Sequence, residues 1–207
     1  MKVRAISFDL QGTLSPLRFS EEFWSETLPG LYAGKNKMDF SKVKKFLDSE
    51  YAKFGKYNKE YYDVGYWLRT LGLDISPADA IKKISIPTEL FPDTLELIKK
   101  LRGKITLALT STAARVFINA ELGAHVNLFD HTFSSVDDFN MGGKPPELYS
   151  MICEVVKISP AELLHVGDDL EMDVKNAQSA GVNAFYFDPE VKRDKLLAKL
   201  REVVWMI

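Results

Sequence analysis

The sequence predicts a doubly wound, Rossmann-like parallel α/β domain that is interrupted by an inserted all-helical domain. Three observations predict it. From about residue 87 onward, short apolar runs alternate with helical segments, as they do in βαβ units. A β-prone apolar run at residues 3–8 supplies one more strand for the same sheet. Residues 16–86 between them show helical spacing without a convincing strand. We therefore expect a core domain of residues 1–15 and 87–207 and a helical domain of residues 16–86.

The helical domain is predicted from apolar residues that recur at helical spacing. Helices are expected at residues 20–28, 40–54, 59–71 and 77–84. The same stretch holds 13 of the chain's 24 aromatic residues, all between positions 19 and 67. A small bundle needs bulky side chains for its core. Some of these rings could instead line a substrate pocket that faces the other domain, and the sequence leaves both uses open.

The core domain is predicted element by element from the same patterns. Strands are expected at residues 105–109, 131–133, 163–166 and 183–187, and helices at residues 94–101, 113–122, 146–156, 171–180 and 189–203. Pro146 suits the start of a helix, and Gly123 and Gly181 suit helix ends. The strand at residues 3–8 completes a five-stranded parallel sheet.

Composition narrows the class of protein. Apolar residues make up 46% and charged residues 27% of the chain, which is typical of globular domains with a large core. The 27 basic and 29 acidic residues nearly cancel, so the electrostatic attraction on which nucleic-acid binding depends is missing and no nucleic-acid partner is expected. No run of about 18 apolar residues occurs. We therefore expect no membrane partner and a cytoplasmic location, whereas the oligomeric state stays open.

Polar side chains follow the predicted strands at one edge of the sheet. They are Asp9, Thr110, Ser111, Lys144, Asp168 and Asp169. In open parallel sheets the active crevice lies outside the carboxyl ends of the strands, so these side chains are expected to converge. Two acids with a hydroxyl and a lysine can bind a divalent cation and an oxyanion, and a carboxylate can also attack phosphorus or carbon.

Taken together, these motifs resemble the haloacid dehalogenase superfamily over essentially the whole chain. The matching segments are Asp9-Leu10-Gln11-Gly12-Thr13-Leu14, Leu107-Ala108-Leu109-Thr110-Ser111, Gly143-Lys144-Pro145, and His165-Val166-Gly167-Asp168-Asp169 followed by Asp173. Each motif alone is weak, but their order on successive strand ends is specific. The resemblance implies that residues 16–86 form a helical cap, which closes over the core-domain site and selects the substrate.

The resemblance also implies roles for single residues. Asp9 would be the nucleophile that forms an aspartyl intermediate, and Thr110 would hold the transferring group. Lys144 would neutralise charge on the nucleophile and on the phosphoryl oxygens. Ser111 could contact the substrate or cap a helix.

A magnesium site is implied in the same way. Asp9, Asp168 and the backbone carbonyl of Gln11 would bind Mg²⁺. Asp169 and Asp173 would be additional metal ligands or would support the ligands. An aspartate in the position of Asp173 can equally do purely structural work within its helix.

Gln11 departs from the pattern. Phosphatases of the superfamily carry a second aspartate two residues after the nucleophile, which protonates the leaving oxygen and then activates water. An amide cannot exchange a proton near neutral pH, so a general acid/base step worth about 10² to 10⁴ in rate lacks an obvious agent.

Two branches of the superfamily do without this acid. The 2-haloacid dehalogenases expel halide, do not use the metal and lack the paired aspartates that are present here at 168 and 169. Their chemistry would also want a cap arginine, and residues 16–86 offer only Arg18 and Arg69. The phosphonatases use a cap lysine as a Schiff base, and ten lysines lie in the same stretch.

The favoured interpretation is a Mg²⁺-dependent, phosphatase-like hydrolase. Its substrate would be a small phosphorylated molecule with an easily expelled leaving group, and its activity would be low unless another acid substitutes for the missing one. A dehalogenase acting on a halogenated molecule or a phosphonatase is the first alternative. The second is a noncatalytic regulatory module that binds metal and phosphate.

Overall fold

The computed structural model describes residues 3–205, and its centre is a five-stranded sheet in which all strands are parallel. The strands are β1 (Ala5–Phe8), β2 (Thr106–Ser111), β3 (His131–Ser134), β4 (Leu163–Gly167) and β5 (Asn183–Tyr186). They lie in the order β3-β2-β1-β4-β5. The chain therefore winds outward in one direction as far as β3 and then crosses to β4 on the other side of β1. This arrangement confirms the predicted doubly wound fold.

The segment between β1 and β2 holds the predicted helical insertion. Its helices are α1 (Arg18–Glu22), α2 (Leu28–Asn36), α3 (Phe40–Tyr51), α4 (Val64–Thr70) and α5 (Pro77–Ile81). No strand occurs in residues 16–91, all of which the structure describes. The name helical insert is used below for residues 16–86. The boundaries of the two predicted domains remain predictions.

The remaining helices surround the sheet. They are α6 (Pro92–Leu101), α7 (Arg115–Leu122), α8 (Ser135–Phe139), α9 (Pro146–Val156), α10 (Asn176–Ser179) and α11 (Arg193–Trp205). Pro146 stands at the start of α9, as predicted. Gly123 follows α7 with a positive φ of 49°, a conformation that glycine adopts without strain. Within residues 3–205, no helix is long and apolar enough to cross a bilayer.

Several helices differ in extent from the prediction. The helix expected at 20–28 starts at Arg18 and continues through a π-helical turn, Phe23–Thr27, into α2. The helix expected at 59–71 is divided, because the Asp63 side chain accepts a hydrogen bond from the backbone N–H of Tyr66 and thereby starts a new helix at α4. The last helix begins at Arg193 rather than at 189, since a turn occupies the residues before it.

Strand β1 is buried on both faces because helices cover both sides of a parallel sheet. All four of its residues are fully buried. Its last residue, Phe8, pairs with Leu109 of β2 and with Val166 of β4. The carboxyl ends of three adjacent strands are therefore held in register, and the residues that follow them meet at one edge of the sheet.

Aromatic rings join the helical insert to the core. Phe23, in the π-helical turn, contacts Phe117 of α7 edge-on with ring centroids 5.4 Å apart, and Phe19 of α1 does so at 6.3 Å. Phe23 and Phe117 are almost completely buried. Trp67 is buried within the insert, where its indole N–H donates to the carbonyl of Glu60. The prediction that the aromatic residues form a core is confirmed for these rings.

We predict that Phe23→Ala destabilises the protein by about 3–5 kcal/mol, because the truncation leaves a cavity between the insert and the core. The free energy of unfolding, measured by urea denaturation, checks this. Phe46→Ala is the matched control, since Phe46 is 41% exposed on α3 and its truncation leaves no buried cavity. Equal losses in the two variants would contradict a packed contact between insert and core.

Candidate active site

Acidic side chains converge where the carboxyl ends of β1 and β4 meet. Asp9 directly follows β1, and its backbone N–H donates to Val166 of β4. Asp168 directly follows β4, and Asp173 lies one helical turn farther on. One carboxylate oxygen from each of these three residues lies within 4.8 Å of the other two. The structure thus brings together three of the residues that the sequence nominated for a metal site.

Lys144 is buried among these acids. Its ammonium Nζ lies 2.5 Å from Oδ1 of Asp9 and 2.5 Å from Oδ1 of Asp173, and the side chain is only 3% exposed. Burial opposes the charged form, but the negative charges of Asp173 and Asp9 outweigh it and raise the pKa of Lys144 above its ordinary value. The lysine is therefore a permanent cation beside the predicted nucleophile.

Asp173 has hydrogen bonds to both of its carboxylate oxygens. Oδ1 also contacts Nε2 of His165 at 3.0 Å, and Oδ2 accepts from the backbone N–H of Asp169 at 2.9 Å. Burial would raise the pKa of Asp173, but the charge of Lys144 and the contact with His165 lower it below its ordinary value. Asp173 is accordingly ionised and holds Lys144 in place.

Asp9 is in the opposite electrostatic situation. Burial raises the pKa of Asp9 well above its ordinary value; the charges of Asp173 and Asp168 raise it further, while Lys144 opposes them. The pKa of Asp168 is raised for the same first reason, burial, with Asp173 adding to it. A divalent cation between Asp9 and Asp168 would relieve this repulsion, so the donor set fits a hard metal ion.

Two glycines give the acids room. Gly12 has a φ of 86°, and a Cβ atom there would lie 2.1 Å from Oδ2 of Asp168. A Cβ atom on Gly167 would lie 2.3 Å from Cγ of Asp173. Any side chain at either position would therefore displace a carboxylate of the site.

The loop that carries Lys144 lies directly beneath the helical insert. A Cβ atom on Gly142 would lie 2.4 Å from the backbone of Asn58, so these two segments contact each other through their main-chain atoms. Nearby, two residues of the insert donate hydrogen bonds to the carboxylate of Glu171: the ammonium of Lys56 at 2.6 Å and the hydroxyl of Tyr57 at 2.8 Å. The insert thus packs against the site from above.

The predicted hydroxyl residues have local partners. Thr110 is fully buried, and its Oγ1 lies 2.7 Å from Oγ of Ser7. Ser111 accepts a hydrogen bond from the backbone N–H of Ala113 at 3.1 Å, so it caps the turn that leads toward α7. The predicted contacts of Thr110 and Ser111 with a substrate remain predictions.

Asp169 acts as a helix cap. Its Oδ1 accepts from the backbone N–H groups of Glu171 and Met172 at 2.8 and 2.7 Å, where the π-helical turn Leu170–Lys175 begins. Through its own N–H it also orients Asp173. The structure therefore places Asp169 in support of the acidic cluster, and its predicted part in metal binding remains a prediction.

Gln11 is held on both sides by hydrogen bonds that the sequence does not reveal. Its amide Nε2 donates to Oε1 of Glu121 at 2.6 Å, and its Oε1 accepts from Ser20 at 3.1 Å. Ser15 donates to the other oxygen of Glu121 at 2.6 Å. Burial raises the pKa of Glu121, although the hydrogen bonds from Ser15 and Gln11 oppose this. The residue in place of the usual acid is thus fixed against a buried carboxyl group.

Sequence reasoning missed the parts played by Glu121 and His165. An acid on the buried face of α7, beside the apolar Phe117, Ile118 and Leu122, is the signal that could have identified Glu121. His165 packs against Tyr149, with ring centroids 5.1 Å apart. It also contacts Asp173, and burial lowers the pKa of His165.

A cavity of about 400 Å³ lies beside Gln11, between the helical insert and the core. Residues from both parts line it: Gln11, Leu17, Ser20, Glu21, Trp24, Ser25, Asp48, Tyr51, Tyr61, Tyr62, Thr112, Ala113, Ala114 and Phe117. Some of the insert's aromatic residues therefore face a pocket, which was the second use that the sequence left open.

Known proteins resemble this chain along most of its length. Residues 3–181 match the family described as haloacid dehalogenase-like hydrolase. The GMP/IMP nucleotidase YrfG of Escherichia coli is 26% identical over 192 residues, which cover 87% of this chain and 80% of that protein.

Solved structures share the fold. A HAD phosphatase from Thermococcus onnurineus superposes with a TM-score of 0.78 at 22% identity, over 99% of this chain and 98% of that one. The HAD hydrolase YfnB of Bacillus subtilis, solved with bound magnesium, has a TM-score of 0.63 at 17% identity, over 97% and 100% of the two chains.

We predict that the stability difference between the wild type and Glu121→Gln depends on pH. The folded-state pKa of Glu121 is raised, so its stabilising contribution is complete below its ordinary pKa of 4.5 and is lost as the pH rises through the folded value. Over that pH window, the free energy of unfolding of the variant should rise relative to that of the wild type. The rise should be about 1.4 kcal/mol for each pH unit between the unfolded and folded pKa values of Glu121. Urea denaturation from pH 4.5 to 8 checks this. Glu154→Gln, at an exposed position on α9, is the control, and a pH-independent difference for Glu121→Gln would contradict the prediction.

Proposed function

The chain belongs to the haloacid dehalogenase-like hydrolases, and we propose that it is a magnesium-dependent phosphatase whose nucleophile is Asp9. The observation that carries the proposal is the buried contact of Lys144 with Asp9 and Asp173, next to Asp168. Lys144 is a fixed cation beside the Asp9 carboxylate, at an edge of the sheet whose acids could bind a metal ion. This arrangement suits attack by the carboxylate on a dianionic phosphoryl group. The proposed substrate is a small phosphate monoester.

The proposed metal ligands are Asp9, Asp168 and the backbone carbonyl of Gln11. All are oxygen donors, which hard cations such as Mg²⁺ prefer. When bound, Mg²⁺ supplies positive charge that neutralises the phosphoryl oxygens and the acids around them. Asp173 is engaged by Lys144 and His165, so we assign it the role of holding the lysine rather than the metal.

The proposed reaction has two steps. In the first, a carboxylate oxygen of Asp9 forms a bond to phosphorus while the bond from phosphorus to the ester oxygen breaks, and that oxygen leaves with the bonding electron pair and takes its proton from water. In the second, water attacks phosphorus, the bond from phosphorus to the Asp9 oxygen breaks, a proton of the water passes to solvent, and inorganic phosphate leaves with Asp9 restored as a carboxylate. Lys144 orients Asp9 through Oδ1 and offsets the charge that develops on the phosphoryl oxygens. Thr110 would hold those oxygens from the neighbouring strand.

Gln11 limits which esters react readily. Its amide carries no transferable proton near neutral pH, and its hydrogen bonds to Glu121 and Ser20 keep it in one orientation. Leaving groups that depart without a proton should therefore react faster than alkoxides.

We further propose that the helical insert acts as a cap. Its residues supply one wall of the cavity beside Gln11, and the core supplies the other. Its main chain at Asn58 also touches the loop that carries Lys144. The substrate's leaving group would therefore be enclosed between the two parts.

The contacts of the insert favour a phosphatase over the related chemistries. Arg18 pairs with Glu89, and Arg69 pairs with Asp63. Neither arginine lines the cavity, whereas a halide site would require an arginine there. Of the cavity-lining residues, all of which fall within residues 3–205, none is a lysine that could form a Schiff base. Because the Escherichia coli relative is named as a GMP/IMP nucleotidase, nucleoside monophosphates are among the esters to test.

We predict that phosphate release from 4-nitrophenyl phosphate and from GMP requires Mg²⁺ and is abolished in Asp9→Asn. Calorimetry should show that Asp168→Asn weakens Mg²⁺ binding by more than the roughly 10- to 100-fold loss typical of a mutated supporting residue. The reason is that the substitution removes a charged oxygen ligand while the fold is retained.

Asp74→Asn, at an exposed position in the insert, is the control and should leave both measurements unchanged. Unaltered Mg²⁺ binding in Asp168→Asn would overturn the metal assignment. If a phosphate analogue raised the melting temperature of this protein while no phosphate release could be measured, the noncatalytic module would be favoured instead.

We predict that Gln11→Asp raises the rate on an alkyl phosphate more than on 4-nitrophenyl phosphate, by up to about 10² to 10⁴, because an alkoxide needs a proton as it departs. The introduced carboxyl would face Glu121, so the substitution is best made together with Glu121→Gln, which removes the repulsion. Rates at saturating Mg²⁺ check this, with Asp9→Asn as the blank. Glu121→Gln alone is the matched background. An unchanged alkyl rate in the folded double variant would show that position 11 is not the missing acid's position.

A further inference from the structure

The cavity beside Gln11 has a composition that bears on the substrate. Five aromatic rings form much of its wall: Trp24, Tyr51, Tyr61, Tyr62 and Phe117. Several of them brace one another edge-on. The rings of Trp24 and Tyr51 lie 5.8 Å apart at 83°, and those of Tyr61 and Tyr62 lie 5.0 Å apart at 75°. The wall is therefore a set of mutually packed ring surfaces.

Three of the polar groups among these rings have internal partners. The Tyr51 hydroxyl donates to the carbonyl of Trp24, and the Tyr62 hydroxyl donates to the carbonyl of Lys56. Ser25 donates to the carbonyl of Glu21. The cavity consequently presents mainly apolar surface to a ligand, which rewards the burial of a flat ring rather than of a polar chain.

The charged side chains of the cavity are all acidic. They are Glu21 and Asp48, and neither forms a salt bridge within residues 3–205. The cavity-lining residues, every one of them in the described chain, include no lysine, arginine or histidine. A second negative charge on the substrate would therefore meet two carboxylates and no cation among the residues that line the cavity, although Lys44, one helical turn before Asp48, partly offsets the charge of Asp48.

We propose that the leaving group of the substrate is a ring-bearing alcohol without negative charge, and that the cavity rejects phosphate esters that carry a second anionic group. This inference rests on the proposed phosphatase function, because the phosphoryl group would have to sit at Asp9 for its alcohol to occupy the cavity. The rings provide attraction, and Glu21 and Asp48 provide discrimination against anions.

Three esters test the inference: benzyl phosphate, 4-carboxybenzyl phosphate and ethyl phosphate. The two benzyl alcohols differ little as leaving groups, so a difference in kcat/KM between their esters reports the added charge. We expect benzyl phosphate to exceed both other esters by about tenfold or more, since like charges repel in the cavity and ethyl phosphate cannot fill it.

The variant Glu21→Gln/Asp48→Asn tests the assigned residues. It should reduce the preference for benzyl over 4-carboxybenzyl phosphate to a few-fold, because it removes both negative charges. Glu50→Gln is the matched control, since Glu50 lies on α3 near Asp48, pairs with Lys53 and does not line the cavity. Its preference should equal that of the wild type. A preference unchanged in the double variant would overturn the roles of Glu21 and Asp48.

Binding separates this inference from the phosphatase function. Benzylphosphonate and 4-carboxybenzylphosphonate cannot be hydrolysed at a P–O ester bond, so calorimetry with the Mg²⁺-loaded protein measures their affinity directly. Tighter binding of benzylphosphonate without turnover of any ester would support the selectivity of the cavity for an uncharged ring, but it would overturn the phosphatase and with it the role of that ring as a leaving group. Similar turnover of all three esters would support the phosphatase and overturn the inference. The absence of both phosphonate binding and ester turnover would overturn the inference and the phosphatase function together.

Discussion

A lysine ammonium can be buried only where negative partners replace its water, and the site is arranged around this requirement at Lys144. Moving such a charge out of water costs several kcal/mol, which only close carboxylates can offset. Asp9 and Asp173 provide them, each at 2.5 Å. Losing one partner of a buried pair typically costs about 3–5 kcal/mol, so the position of each acid is tightly constrained. The cation beside the proposed nucleophile is therefore also a structural element.

The other parts of the site serve this arrangement. Gly167 leaves space for Asp173, and Asp169 caps the π-helical turn that aims it. His165 occupies the remaining side of the same carboxylate. Another buried acid, Glu121, lies beside the segment that follows β1. It accepts hydrogen bonds from Gln11 and Ser15 of that segment. The chain thus keeps two buried acids, Asp9 and Asp173, paired with a cation and a third, Glu121, paired only with neutral donors.

The sequence predicted the fold well, because strands of a parallel sheet appear as apolar runs and their order follows from the winding. It also predicted Asp9, Lys144 and Asp168 as neighbours, since the carboxyl ends of the strands meet at one edge, whereas Asp173 was nominated by the family resemblance. Helix ends were less predictable, because they depend on single caps such as Asp63. The contact of Gln11 with Glu121 spans 110 positions, and no local pattern encodes a pairing at such a distance.

The close approach of Gly142 to the backbone of Asn58 has a mechanical consequence. Where main-chain atoms touch, no side chain can rotate to absorb a displacement, so a shift of the insert would be transmitted to the loop that carries Lys144. The contact would therefore couple the position of the proposed cap to the electrostatics around Asp9, the proposed nucleophile. Substitutions in the insert, even far from any ligand, would then change the chemistry of a core whose own residues had not changed.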